Sequence, residues 1–179
     1  MSSSEPWRNP PPPPQLDEIR ARVPAKSMIP GWLRAWWPAI VWGIVISLAS
    51  TDSFSSEHTA SVLQPILKWF YPALTTAQFE VIHHLIRKTA HFCEYFVFYL
   101  LLLHAVHGVR KQWQWSSAVI AWAIAAVYSC LDEFHQSFVA SRGASPWDSL
   151  LDSIGAAVAM FGVYLFLRYR ASRAARLSQ

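Results

Sequence analysis

Four long apolar runs are the feature that most limits what this chain can fold into. They cover approximately residues 35–49, 90–106, 116–131 and 150–167. With its flanks, each run reaches about 17–20 residues, the length that a helix needs to cross a bilayer. Trp residues at run ends, such as Trp36 and Trp113, are typical of the membrane interface. The runs predict four transmembrane helices; the alternative is the buried helices of a soluble protein.

The amino-acid composition excludes several classes of protein. Charged residues make up 15% of the 179 residues, against about 25% in soluble domains, and hydrophobic residues make up 53%. Two cysteines exclude a framework of several disulfides and a Cys-rich zinc module. The basic residues follow the predicted topology and form no patch, so we expect no nucleic-acid partner.

Three segments follow from these patterns. Residues 1–34 are polar and Pro-rich and predict a disordered cytoplasmic tail. Residues 35–167 hold the four spans, and residues 168–179 form a short basic tail. A signal peptide ending near Ala49 is an alternative for the first run, but 34 residues are too many for its leading region. We therefore predict an uncleaved span.

Lysine and arginine counts predict the orientation. With the N-terminus inside, the inner segments carry eleven of these residues and the outer segments carry four. The positive-inside rule then places both termini in the cytoplasm. The long outer loop, residues 50–88, has apolar residues at helical spacing, and Thr75 with Gln78 resembles a capping box. The predicted fold is all-α: an integral membrane four-helix bundle with an amphipathic helical outer loop.

Three acidic residues within the spans share one predicted depth. Glu94, Asp132 and Asp152 each lie 16 residues from the cytoplasmic boundary of their span. The boundaries are taken at Arg110, Ser116 and Arg168. At about 1.5 Å per residue the acids lie about 24 Å above that boundary, in a hydrocarbon core about 30 Å thick. Ionisable groups are costly at this depth, so the coincidence predicts one polar site that opens to the outer face.

Other polar residues fall near the same level. They are Lys88, His91, Tyr95, Glu133, Gln136, Arg142 and Asp148. Together with Arg87 and the three acids above, these residues give the site a net charge of about minus two. A carboxyl is therefore protonated, a histidine is charged, or a cation binds. The substrate-binding candidates are Lys88, Glu94, Tyr95, Gln136, Arg142, Asp148 and Asp152.

Lys88 and Arg142 could bind an anionic group. The alternative for Arg142 is an ion pair with Asp148 or Asp132. Ser145-Pro146-Trp147-Asp148 is also typical of a helix start, which gives Asp148 a capping role as its alternative.

His91, Asp132 and Glu133 are the candidates for proton transfer. The alternative for His91 is a structural hydrogen bond between spans. His91 and Glu94 could bind zinc together with Asp132 and His135, but no established zinc signature is present, so we predict no metal and no cofactor. Ser129 could act as a nucleophile but lacks a recognised elbow motif.

The combined motif resembles the VanZ-like membrane proteins. It reads Arg87-Lys88-x-x-His91-Phe92-x-Glu94-Tyr95, then Asp132-Glu133-x-x-Gln136-x-Phe138, then Arg142, Asp148, Asp152 and Gly155. The order and spacing match across residues 87–155. The chain departs at residues 139–141, where the family often has Pro-Gly, and at Asp152, where it often has Asn.

The resemblance implies a multi-pass protein of the bacterial inner membrane. The family's founding member is associated with low-level teicoplanin resistance. Three functions stay open: an enzyme acting on a cell-envelope lipid or lipid-linked precursor, a non-catalytic binding or resistance protein, and a small transporter. The expected partners are the lipid bilayer and an anionic or lipid-linked envelope ligand, and an oligomer is possible.

Overall fold

The protein consists of helices in every part that the structure describes. This computed structural model describes residues 30–51, 56–108, 113–138 and 145–177. The helices are α1 (Gly31–Ala49), α2 (Ser56–Phe70), α3 (Thr76–His107), α4 (Trp115–Gln136) and α5 (Pro146–Leu177). The all-α prediction is confirmed.

Four of these helices, α1, α3, α4 and α5, are long and apolar enough to cross a membrane. Many of their large apolar side chains point away from the bundle, for example Ile44, Val127 and Phe161. Outward-facing apolar side chains at this density suit contact with lipid and not with water. The chain is a multi-pass membrane protein, as the four runs predict.

All four spans run past the predicted apolar segments. Helix α1 begins at Gly31, before the run that starts near residue 35, and α5 continues to Leu177, beyond residue 167. Hydropathy identifies only the part of a helix that lies in the lipid. The helical backbone hydrogen bonds continue into the polar sequence on either side, so the helices are longer than the apolar runs. Most of the Pro-rich segment predicted to be disordered, residues 1–29, lies outside the described residues.

The predicted outer loop contains helix α2 and the first turns of α3. Thr75 and Gln78 form the predicted capping box: each side chain binds the main-chain N–H of the other residue. Helix α2 packs beside this extension of α3, where Thr59 Oγ1 lies 3.0 Å from His83 Nε2. The second span therefore continues, as a single helix, into the segment that the sequence predicts as the outer loop.

Helix α3 is the centre of the fold, because it contacts each of the other four helices. It approaches α5 closely at Gly155, where an added Cβ would lie 2.6 Å from the main-chain oxygen of Phe92. The buried alanines Ala121, Ala125 and Ala156 also permit short distances between helix axes. This tight packing holds the polar ends of α3, α4 and α5 together.

Candidate functional site

Buried polar side chains collect at one end of the bundle. Four helix segments meet there: the end of α1, the part of α3 around Tyr95, the last turns of α4 and the first turns of α5. Asp132 is 6% exposed and Asp152 is 1% exposed. Carboxylates with so little exposure need partners, because burying an unpaired charge costs several kcal/mol, order of magnitude. Those partners divide the site into two groups.

The inner group is the more buried of the two. It consists of Ser50, Tyr95, Ser129, Asp132, Gln136 and Asp152. Asp132 Oδ2 accepts a hydrogen bond from Ser50 Oγ at 2.7 Å and another from Gln136 Nε2 at 2.8 Å. Gln136 Nε2 also donates to Ser50 Oγ at 3.2 Å. These three side chains connect the end of α1 to the end of α4.

Asp152 completes the inner group from α5. Its Oδ2 accepts a hydrogen bond from Ser129 Oγ at 2.9 Å. Tyr95, on α3, is fully buried, and its ring hydroxyl lies near Ser129 and has Asp132 and Asp152 as electrostatic neighbours. Tyr95 Oη and Asp152 Oδ1 are both buried, and neither has a hydrogen-bond partner among the described residues. The inner group therefore presents unused oxygen atoms.

The outer group includes the more exposed polar side chains of the site. It consists of Lys88, Glu133, Ser145 and Asp148. Lys88 Nζ forms an ion pair with Asp148 Oδ1, and the two side chains are 28% and 22% exposed. Glu133 Oε2 accepts a hydrogen bond from the main-chain N–H of Ser145 at 3.0 Å, and Lys88 and Asp148 are its electrostatic neighbours. The outer group thus combines a cation that can be reached from outside with two carboxylates.

The outer group also fixes the start of α5. Helix α5 begins at Pro146, and Asp148 lies in its first turn, where the helix dipole favours a negative charge. The Asp148 carboxylate nevertheless pairs with Lys88 of α3. It therefore connects two spans in addition to its place at a helix start.

His91 and Glu94 form a third contact on α3. His91 Nδ1 lies 3.7 Å from Glu94 Oε2. The main-chain oxygen of Glu94 accepts a hydrogen bond from Trp42 Nε1 at 3.0 Å, which attaches α1 to α3. His135, on α4, is exposed. Within the described ranges, no cluster of three or more His, Cys, Asp or Glu side chains is arranged to hold a metal ion.

Several contacts of the site were not predicted from the sequence. Arg142 lies outside the described residues. Ser50 and Ser149 were missed: Ser50 binds Asp132, and Ser149 Oγ donates to the main-chain oxygen of Ser129 at 3.3 Å. Ser50 directly follows an apolar run, and a polar residue at that position, level with three acids, is a signal that could have found it.

The chain matches the family model described as VanZ/LLP1 over residues 35–168. No curated protein and no solved structure shows a significant match to it. The matched range holds α1 from residue 35, the whole of α3 and α4, α5 as far as Arg168, and every residue of the inner and outer groups. The chain therefore belongs to the VanZ/LLP1 family.

Proposed function

We propose that this VanZ-family protein acts on, or binds, an anionic lipid or lipid-linked precursor of the bacterial cell envelope. The observation that carries the proposal is the outer group, where a partly exposed lysine and two carboxylates lie at the end of a bundle with an apolar outer surface. A charged site at the boundary of lipid and water suits a ligand with both an apolar chain and an anionic head.

The residues divide by role in this proposal. Lys88, with Arg142, binds the anionic head group, and His91 with Asp132 or Glu133 transfers protons. Tyr95, Glu94, Gln136, Asp148 and Asp152 line the site or hold these side chains in place. Lys88 can exchange its contact with Asp148 for a ligand oxygen because both side chains retain solvent exposure.

Orientation is part of the proposal. We place the site on the exoplasmic side of the inner membrane and both termini in the cytoplasm. Support comes from the eleven basic residues of the inner segments. The last part of α5 carries Arg168, Arg170, Arg173 and Arg176, all exposed, at the other end of that helix from Asp148 and Asp152.

The test is mass spectrometry of total envelope lipids and lipid-linked cell-wall precursors. Cells expressing the wild type are compared with cells expressing Asp132→Ala at matched membrane levels. Glu80→Gln, which removes an exposed carboxylate near the start of α3, serves as the matched control. A species whose mass changes with the wild type and the control, but not with Asp132→Ala, would establish an enzyme. Identical profiles in all strains would contradict catalysis.

A non-catalytic binding protein, including a glycopeptide-resistance protein, is the second candidate. One observation favours it: the acids proposed for proton transfer already have structural partners. Asp132 accepts two side-chain hydrogen bonds, and Glu133 accepts the Ser145 N–H. Binding of teicoplanin or of a lipid-linked precursor that survives His91→Ala, together with altered teicoplanin susceptibility, would support this candidate over the enzyme.

A further inference from the structure

Two carboxylates of the inner group, those of Asp132 and Asp152, have no basic partner among the residues that the structure describes. Asp132 and Asp152 make all their described hydrogen bonds to neutral donors, namely Ser50, Gln136 and Ser129. Neither acid forms an ion pair with another described residue. The two acids are electrostatic neighbours, so their negative charges add in the same buried volume. Buried charges of one sign need a counter-charge or a proton.

The hydrogen bonds suit ionised carboxylates. Asp132 Oδ2 accepts two hydrogen bonds and Asp152 Oδ2 accepts one, and an ionised oxygen is the stronger acceptor. A proton on Asp152 Oδ1 would have no acceptor in the structure, because that oxygen makes no hydrogen bond with any described residue. Neutralisation by a proton would therefore leave a buried donor unsatisfied.

A second observation points to a ligand in the same place. Tyr95 is 0% exposed, and its hydroxyl oxygen has no hydrogen-bond partner among the described residues. Both acids are electrostatic neighbours of that hydroxyl. Buried polar atoms in native proteins are nearly always satisfied, so two adjacent unsatisfied oxygens indicate a missing partner. The partner must be small, because the surrounding side chains are buried.

We propose that the inner group binds one hard inorganic cation between Asp152 Oδ1, Tyr95 Oη and the Asp132 carboxylate. Every side-chain donor is an oxygen atom, which is the preference of sodium and calcium ions and not of zinc or copper. The hydroxyls of Ser50 and Ser129 are further oxygens at the same site. Two carboxylates completed by neutral oxygens also agree with the lack of a cluster of three acids, histidines or cysteines in the described ranges. The inference goes beyond the proposed function, because the ion needs no lipid ligand.

The test is the thermal unfolding of the purified full-length protein in detergent. NaCl or CaCl2 is titrated against choline chloride at equal ionic strength. At a cation concentration of 100 times the Kd, the wild-type Tm is expected to rise by about 5–10 °C. Calorimetric titration of the same salt should give one site per chain. A response to CaCl2 alone identifies a divalent ion, and a response to both salts identifies a general site for hard cations.

Two variants and one control connect the response to the inner group. Asp152→Asn keeps the shape of the side chain and an acceptor for Ser129, so it should lose the cation response and should not unfold earlier than the wild type without the cation. Tyr95→Phe should weaken cation binding about tenfold, by analogy with supporting residues of other ion sites. Glu80→Gln should keep the full response, because Glu80 is exposed and outside the group.

The proposal is overturned if neither cation raises the wild-type Tm above the choline series. It is also overturned if the rise persists in both Asp152→Asn and Tyr95→Phe, since the ion would then bind elsewhere. Should Asp152→Asn fail to fold, Tyr95→Phe decides alone, because it removes only one oxygen. These readouts contain no lipid measurement, so their failure is distinct from a failure of the proposed function.

Discussion

The two ends of the bundle are closed by different chemistry. The site end holds buried carboxylates that bind serine, glutamine and lysine side chains. At the other end, Trp115 lies with its ring centroid 5.4 Å from that of Trp113 and 5.0 Å from that of Tyr164. Arg168 Nη1 donates to the Tyr164 hydroxyl at 2.9 Å. Aromatic contacts of this kind are usual at a membrane interface.

The difference between the two ends indicates which contacts serve stability alone and which serve a function. A ring cluster stabilises helix ends without burying charge. Buried ionic groups are often no more stabilising than apolar side chains of similar volume, although removing one partner alone is strongly destabilising. Carboxylates therefore indicate a purpose beyond helix packing at the site end. Substitutions that remove a single partner should have large effects there and small effects at the aromatic end.

The largest effect is expected where the site end is packed most tightly. Gly155→Ala places a Cβ 2.6 Å from the main-chain oxygen of Phe92, and a main chain cannot move aside as a flexible side chain can. We expect a loss of about 3 kcal/mol in the free energy of unfolding, the upper end of the usual range for overpacking. Denaturant unfolding of the detergent-solubilised protein measures it.

Gly162→Ala is the matched control, because it lies on the same helix with no atom within 4 Å of its added Cβ. It should stabilise the protein by about 0.5–1 kcal/mol through helix propensity. Equal effects at the two glycines would show that α3 and α5 are not in close contact at Gly155.

The next largest loss of stability is expected from a substitution within the inner group. Ser50→Ala removes a donor to Asp132 and an acceptor for Gln136, both buried. We expect a loss of about 2 kcal/mol, as for a hydrogen bond to a charged group left unsatisfied. Ser116→Ala, at an exposed position in the first turn of α4, is the control and should change the free energy of unfolding by less than about 0.5 kcal/mol. A Ser50→Ala value as small as the control's would mean that water replaces the hydroxyl.

The sequence predicted where along each helix the acids lie, but not which way they face. Apolar runs and the 1.5 Å rise place Glu94, Asp132 and Asp152 at one level. A rotation of about 100° separates neighbouring residues on a helix. In the structure Tyr95 has Asp132 and Asp152 as electrostatic neighbours, whereas the carboxylate of Glu94 lies beside His91. Rotation depends on packing against other helices, and a single sequence does not contain that information.

Local signals were predicted more completely than contacts between distant segments. The capping box at Thr75 and Gln78 depends on four consecutive residues, and the structure confirms it. The contact between Ser50 and Asp132 joins residues 82 positions apart. Only the folded chain brings such residues together. A search for sequence motifs therefore does not find hydroxyl partners at the ends of spans.

A smaller effect is expected for the Lys88–Asp148 pair of the outer group, because both of its side chains retain solvent exposure. A double-mutant cycle of Lys88→Met and Asp148→Asn should give a coupling free energy of about 1 kcal/mol, reduced from the value of a buried pair by screening. Lys88→Met alone should be the worse single variant, because it leaves the carboxylates of Asp148 and Glu133 as neighbours without their cation.

The cycle is measured by chemical unfolding, and head-group binding is measured in the same variants. A coupling free energy as large as the loss of stability in Ser50→Ala would indicate that water has as little access to the outer group as to the inner group. It would then be closed to a ligand, contrary to the proposed role of Lys88.

The smallest effect is expected at the aromatic end. Tyr164→Phe removes the hydroxyl that accepts from Arg168 but keeps the ring contacts with Trp113 and Trp115. Because this hydrogen bond is exposed, water replaces the lost oxygen, and the free energy of unfolding should change by less than about 0.5 kcal/mol. The cation response of the inner group should also stay unchanged, since no residue of that group lies in the aromatic cluster. If Tyr164→Phe instead cost as much as Ser50→Ala, both ends would depend on single polar contacts. Buried hydrogen bonds would then not distinguish the site end from the aromatic end. The inner carboxylates would no longer indicate a function beyond helix packing.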